Sequence, residues 1–300
     1  MAEKIFPSLF QFYKETEDLL HQRFFYPMRI YRPFISIEEQ NEWMAQSEEN
    51  PLKKFISKIH TSQAFNRQVN DAFGGVITES SGYLDTVAFL TATRDFLKNR
   101  EAFRESFFDF EKLITQKDKI VYQNLEAKKI IFCDGIGVRT NPYFNWVPVH
   151  PLKGETLTIS LSEVPEVIFN RGVYIVPSQG EKLFMVGATY DPNDSTHEVS
   201  DTAKKELEEK LRDLIKIPFT INHQNWGMRP TSPDRRPIIG PHPEFENLII
   251  FNGLGTKGVS LSPYFSVQLT QWLEGHGEIP RDVNIERFKS LYSKFSSAMI

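Results

Sequence analysis

The sequence predicts a mixed α/β protein, α+β in part, in which antiparallel and α/β regions alternate along the chain. Three observations carry this. The apolar run Leu248-Ile249-Ile250-Phe251-Asn252 ends at Gly253-Leu254-Gly255-Thr256-Lys257-Gly258, and a helical pattern follows over residues 263–273. Strand, Gly-x-Gly-x-x-Gly and helix let a backbone come close to a phosphate or a flat cofactor. A second short apolar run, Ile130-Ile131-Phe132-Cys133, stops at Asp134-Gly135, which suits a buried parallel strand. Third, residues 172–177 and 182–189 flank Ser178-Gln179-Gly180 as an antiparallel hairpin.

The remaining elements follow in order. Leu9, Phe12, Tyr13, Thr16, Leu19 and Leu20 recur at helical spacing, so the chain opens with an amphipathic helix. Residues 23–34 read as extended. Ser36-Ile37-Glu38-Glu39 is a capping box for a helix to about residue 47. A short helix is expected over residues 52–60, then a turn and strand at Gly74-Gly75-Val76-Ile77. Asp85 caps a helix over residues 86–99, with Val87, Leu90, Phe96 and Leu97 inward. Residues 107–113 and 119–124 read as paired strands, and Asn141-Pro142 breaks the chain. Residues 156–161 alternate, placing Leu157, Ile159 and Leu161 on one face. Asp201 caps a helix to about residue 216, with Leu207, Leu211, Leu214 and Ile215 inward.

Composition excludes several classes. The 300 residues carry 40% hydrophobic and 25% charged residues, enough for a sizeable core. A net charge of -4 offers no broad basic field, which argues against nucleic acid as partner. One cysteine excludes an internal disulfide and fits a reducing compartment. No apolar run is long enough to span a membrane, and the first residues lack a signal-peptide core, so cytoplasm is expected. The seven histidines are scattered, with no His-Glu-x-x-His and no cysteine pair, so no metal site is expected. No Gly-x-Ser-x-Gly elbow and no Walker A sequence is present. Glu206, Glu208 and Glu209 alternate with Lys204, Lys205 and Lys210, which reads as a solvated helix face.

The glycine turn is not a Rossmann opening, because no second parallel strand follows its helix. Just upstream stands Trp226-Gly227-Met228-Arg229-Pro230-Thr231-Ser232-Pro233-Asp234-Arg235-Arg236-Pro237-Ile238-Ile239-Gly240. With the glycine turn, this resembles the C-terminal signature of the D-amino-acid oxidase superfamily of FAD enzymes, the glycine-oxidase-like proteins among them. The family pattern runs Gly-x-Arg-Pro, Pro-Asp-x-x-Pro-x-x-Gly, strand, glycine turn. The blocks at residues 130–135 and 173–189 match it too.

The resemblance implies a Rossmann-like FAD-binding domain, interleaved with a substrate domain that holds a large mixed, mainly antiparallel sheet. Residues 1–84 and 148–222 would belong to the substrate domain, and residues 85–147 and 223–300 to the FAD domain. The implied activity is oxidation of a C–N bond in a small amine or amino acid. A hydride would pass from the substrate carbon to flavin N5, and the imine would hydrolyse.

Arg229 would clamp a substrate carboxylate through two parallel hydrogen bonds; the structural alternative pairs it with Asp234. Tyr174 and Tyr190 would face the substrate, or else pack across strands. Gly253, Gly255, Thr256, Lys257 and Gly258 would lie by the isoalloxazine ring. Cys133, Asp134 and Gly135 would let the chain pass close to the cofactor, although Asp134 is unusual there and can equally be a turn former. Lys153-Gly154-Glu155 reads as structural.

Glycine-oxidase-like enzymes often carry an arginine where Thr256 stands. Gly-Leu-Gly-Thr-Lys-Gly looks closer to the turn of tRNA-modification oxidases acting on carboxymethylaminomethyl-type uridine, the alternative enzyme reading. The family opens with a strand–Gly-x-Gly-x-x-Gly–helix unit for the ADP half of FAD, and the first hundred residues contain none. The expectation is therefore a chain truncated at its N-terminus, with a non-catalytic remnant as the reading from another class. No oligomeric state is implied.

Overall fold

A computed structural model describes residues 2–49 and 51–298. The chain divides into two compact units, each built from separated stretches. The first takes the chain up to Ala102, Lys153–Asp191 and Thr196–Gly227; the second takes Phe103–Leu152, Pro192–Ser195 and the chain from Met228 onward.

The first unit is organised on an eight-stranded sheet. In spatial order its strands are Phe219–Thr231, His150–Leu161, Leu183–Gly187, Val173–Pro177, Ile168–Arg171, Ile30–Pro33, Gly75–Thr78 and Ile56–His60. Ile168–Arg171 runs parallel to Ile30–Pro33; His150–Leu161 with Leu183–Gly187, that strand with Val173–Pro177, Val173–Pro177 with Ile168–Arg171, Ile30–Pro33 with Gly75–Thr78, and Gly75–Thr78 with Ile56–His60 are antiparallel. This is the large mixed, mainly antiparallel sheet that the resemblance implies. Leu157, Ile159 and Leu161 bury one face against Leu207, Leu211 and Leu214 of helix Asp201–Leu214. Ser200, not Asp201, caps that helix, its hydroxyl accepting from Ala203 N at 3.1 Å. A second cluster joins helices Ala2–Leu20 and Thr86–Lys98, with Leu9, Tyr13, Phe24 and Phe25 buried at its centre.

Several local expectations fail for identifiable reasons. Residues 52–60 are not a helix: Pro51–Phe55 forms a 3-10 turn and Ile56–His60 a strand. Leu52, Phe55, Ile56 and Ile59 do carry helical spacing, but pairing with Gly75–Thr78 decides the outcome. Helix Thr86–Lys98 is capped by Asp85 as expected, yet its inner face is turned. Ala88 and Phe89 pack inward, while Val87 and Leu90 are 63% and 62% exposed. Residues 107–113 give a 3-10 turn, Phe110–Lys112, and a short strand, Leu113–Thr115, in a three-stranded meander with Ile120–Tyr122 and Leu125–Ala127. The helix expected from residue 263 begins at Gly258 and keeps Pro263 inside it.

The second unit holds a three-stranded sheet in the order Ile238–Pro241, Leu248–Asn252, Ile130–Phe132. The last two run parallel in the register Leu248↔Ile130, Ile249↔Ile131, Ile250↔Phe132. Ile238, Leu248, Ile250, Phe132, Phe144 and Trp146 form its core. His242 is buried there among Phe144, Trp146, Phe245 and Tyr292. Its Nδ1 accepts from Glu244 N and Phe245 N at 3.1 and 3.3 Å, so the neutral ring is the one that fits. Burial pushes the imidazole down to about 4 against a milder upward pull from Glu244. Among the described residues no helix is long and apolar enough to cross a membrane.

A histidine held neutral in the fold binds fewer protons than in the unfolded chain between pH 6.5 and 4. Its stabilisation is present above pH 6.5 and is lost as pH falls through that window, by up to about 3 kcal/mol. Urea denaturation at pH 7 and pH 4.5 should therefore show a smaller acid loss for His242→Phe than for the wild type; equal losses would contradict the assignment.

Candidate functional site

The second unit brings its candidate residues to the carboxyl ends of two parallel strands, where open α/β sheets place ligands. Strand Ile130–Phe132 runs out into Cys133, Asp134 and Gly135, and strand Leu248–Asn252 into Gly253, Leu254 and Gly255. One carboxylate ties the two ends together. Asn252 Nδ2 donates to Asp134 Oδ1 at 3.0 Å and to the Gly135 carbonyl at 2.9 Å. Asn141 Nδ2 donates to Asp134 Oδ2 at 2.9 Å. Asn252 Oδ1 accepts from Gly253 N at 2.8 Å, and Asn141 Oδ1 from Tyr143 N at 3.0 Å. Both asparagines are buried, so their amides must find partners inside the protein. Asp134 is thus more than a turn former. Asn141 and Asn252 carry no recognisable pattern in the sequence, apart from preceding a proline and a glycine.

Gly253 has φ +71°, and a Cβ there would stand 3.1 Å from Ile238 Cγ1. A side chain would meet both a left-handed backbone and a crowded neighbour. Gly255 is also left-handed, at φ +55°. A 3-10 turn, Gly255–Lys257, then leads into helix Gly258–Leu273. No side-chain hydrogen bond caps either start, and the partial positive charge of a helix N-terminus lies just after the turn. Thr256 and Lys257 are exposed there.

The strand Phe219–Thr231 ends against this turn. Thr231 bridges to Leu254, and a Cβ on Gly255 would stand 3.4 Å from Thr231 Oγ1. Arg229, half-buried, lies two residues before Thr231 on the same strand. Asp234, its alternative partner, is engaged by Arg287, with Nε at 2.9 Å and Nη2 at 3.3 Å. Burial works against the Asp234 carboxylate, but the Arg287 hydrogen bonds and charge hold it below the usual range. Cys133 is exposed; partial desolvation and then the Asp134 charge push its thiol up, which makes it a poor nucleophile.

In the first unit, Tyr174 faces Gly187 across the hairpin. A Cβ on Gly187 would lie 2.5 Å from Tyr174 Oη, so the glycine makes room for the ring. The strand ends at Gly187, and Tyr190 follows it in irregular chain, 54% exposed. Lys153 and Glu155 are buried as an ion pair at 3.6 Å. Glu155 also accepts from Ser200 N and Oγ and from Gln224 Nε2, at 3.0, 3.0 and 2.7 Å. That network locks strand His150–Leu161 to the start of helix Asp201–Leu214, a structural role.

Comparison with known proteins identifies the family. Residues 6–272 match the DAO family of FAD dependent oxidoreductases, and the chain belongs to that family. It is 30% identical over 135 residues to glycine oxidase of Geobacillus kaustophilus, a match over 42% of this chain and 34% of that protein's length. It is 26% identical over 158 residues to the tRNA 5-methylaminomethyl-2-thiouridine biosynthesis bifunctional protein of Idiomarina loihiensis, covering 48% of this chain and 25% of that protein. Among solved structures, the G. kaustophilus glycine oxidase superposes with TM-score 0.71 at 18% identity, over 93% of this chain and 79% of that one. L-proline dehydrogenase from P. horikoshii gives 0.77 at 13% identity, over 95% and 83%. At such identity the structures speak for the fold alone.

Strand ends that close on a glycine turn suit a flat, anionic cofactor. The helix start supplies partial positive charge next to the glycine turn. The Asp134 knot holds both ends in place. Asp134→Ala and Asn252→Ala should each lower the unfolding free energy by about 2–4 kcal/mol and be strongly non-additive. Additive losses in a double-mutant cycle would show that the two residues act separately.

Proposed function

We propose that the protein is an FAD-dependent oxidoreductase that oxidises the C–N bond of an amino acid or secondary amine. The observation that carries it is the packing of Pro230-Thr231, which directly follow Arg229, against the glycine turn, in a chain of the DAO family. In this reading the second unit is the cofactor unit and the first the substrate unit, with residues 85–102 belonging to the first.

Gly253, Gly255, Thr256, Lys257 and Gly258 line the flavin end of the cofactor, with Cys133, Asp134 and Gly135 on the neighbouring strand end. Bound there, FAD supplies the two-electron acceptor. The amides that open helix Gly258–Leu273 stabilise negative charge on the side they face, and Lys257 adds to it. Arg229 holds a substrate carboxylate in a planar fork and so fixes which carbon faces the cofactor. For Tyr174 and Tyr190 we propose hydroxyls that contact substrate. A small amino acid is favoured over a modified uridine because a planar carboxylate suits the guanidinium and the net charge of -4 gives no field for nucleic acid.

Glycine, N-methylglycine and proline should be screened with the flavin-loaded protein for substrate-dependent bleaching. For whichever is turned over, Arg229→Ala should raise KM by about 100-fold while bound-flavin absorbance is unchanged, and Arg229→Lys should recover part of the loss. An unchanged KM would remove the clamp. Turnover of a carboxymethylaminomethyl-uridine in place of all three amino acids would favour the tRNA-modification reading.

A further inference from the structure

The first unit carries a cleft of about 430 Å³ that the proposed function leaves unused. Strands Ile30–Pro33 and Ile168–Arg171 run parallel and in register, which leaves Arg32 and Arg171 at neighbouring positions near their ends. Helix Asp201–Leu214 adds Lys210 and its last turn. Buried Pro33, Phe34 and Leu214 make an apolar floor, and Ile35 stands exposed at the mouth.

A single carboxylate answers both arginines. Arg171 Nη1 donates to the two oxygens of Glu39, at 2.8 Å each, and to the Pro33 carbonyl at 3.0 Å. Arg32 Nη2 reaches the same Glu39 from 3.4 Å. Burial opposes the Glu39 charge, yet the Arg171 hydrogen bonds hold its carboxyl below the usual range, so it stays an acceptor with no proton to give. The arginines therefore keep donors to spare. The Nε–H of Arg32 is buried, and among the described residues nothing accepts from it. A buried donor without an acceptor is costly, and a cationic one more so. Lys210 pairs outward with Glu206, and Asp213 is the one acid on the cleft wall.

We propose that this cleft binds a small organic anion, its carboxylate or phosphate head on Arg32 and Arg171 and its apolar body on Phe34 and Leu214. An acceptor oxygen placed there meets the exposed edge of Arg32, whose side chain is 43% exposed, and a guanidinium recognises either head through paired donors. Lys210, paired with Glu206, adds positive charge beside the cleft. The Asp213 carboxylate disfavours a dianion that lies close to it, so a monoanion of modest size suits the cleft better than a polyphosphate.

Phenylacetate and phenyl phosphate, titrated by calorimetry at fixed ionic strength, test the proposal with one body and two heads. At least one should bind the wild type. Arg32→Gln should weaken it about tenfold and Lys210→Gln by a few-fold, while Arg229→Ala leaves it unchanged. Should Arg32→Gln fail to fold, the exposed Lys210→Gln decides alone. The tighter probe identifies the head. No binding of either probe, wild-type affinity in the cleft variants, or a loss confined to Arg229→Ala would each overturn the assignment.

Discussion

The carboxylate of Asp134 is the contact on which the second unit depends. It takes one amide proton from Asn252 and another from Asn141, and through them it fixes two chain ends that must stop side by side. Two parallel strands have no turn to hold them in register, since the chain between them is long. The hydrophobic register of Ile130, Ile131 and Phe132 against Leu248, Ile249 and Ile250 sets where they lie along one another. The polar knot then determines how each leaves the sheet. Asn252 closes it by accepting from Gly253 N, which starts the left-handed step of the glycine turn. Geometry that a cofactor would need is in this way secured by three polar side chains behind it.

The first unit solves a different problem. Its long sheet presents two faces, and one is covered by helix Asp201–Leu214. The buried Lys153–Glu155 pair would cost more than it returns if left bare. Ser200 and Gln224 complete the hydrogen bonding of Glu155, so the charge also anchors the helix start. Gly187 opposite Tyr174 is a steric counterpart: the ring is placed because the facing residue has no side chain.

How legible this was in the sequence depends on the range of the interaction. The glycine turn, the apolar strand before it and the Asp85 cap are local, and they were readable because φ, spacing and capping act within a few residues. Residues 52–60 satisfied helical spacing and still became a strand, because a partner strand outweighs propensity. Val87 and Leu90 share helical spacing with residues that do turn inward, and only the packing of Phe89 against Tyr13 and Phe24 shows which face is buried. The knot was illegible for the plainest reason: Asp134 and Asn252 stand 118 residues apart, and nothing local to either strand end pairs it with the other. Arg229 could be named from its motif, whereas its place beside the turn, through Thr231 and Leu254, required the fold.

The central claim is that the strand ends and glycine turn of the second unit hold the flavin of FAD. The direct measurement is the visible absorption spectrum of the purified protein after titration with FAD and gel filtration, for the wild type and for Gly253→Val. The account predicts a perturbed flavin spectrum that travels with the folded wild-type protein and is absent from a folded variant. A folded wild type that emerges colourless, or a variant that keeps the same spectrum, would contradict it.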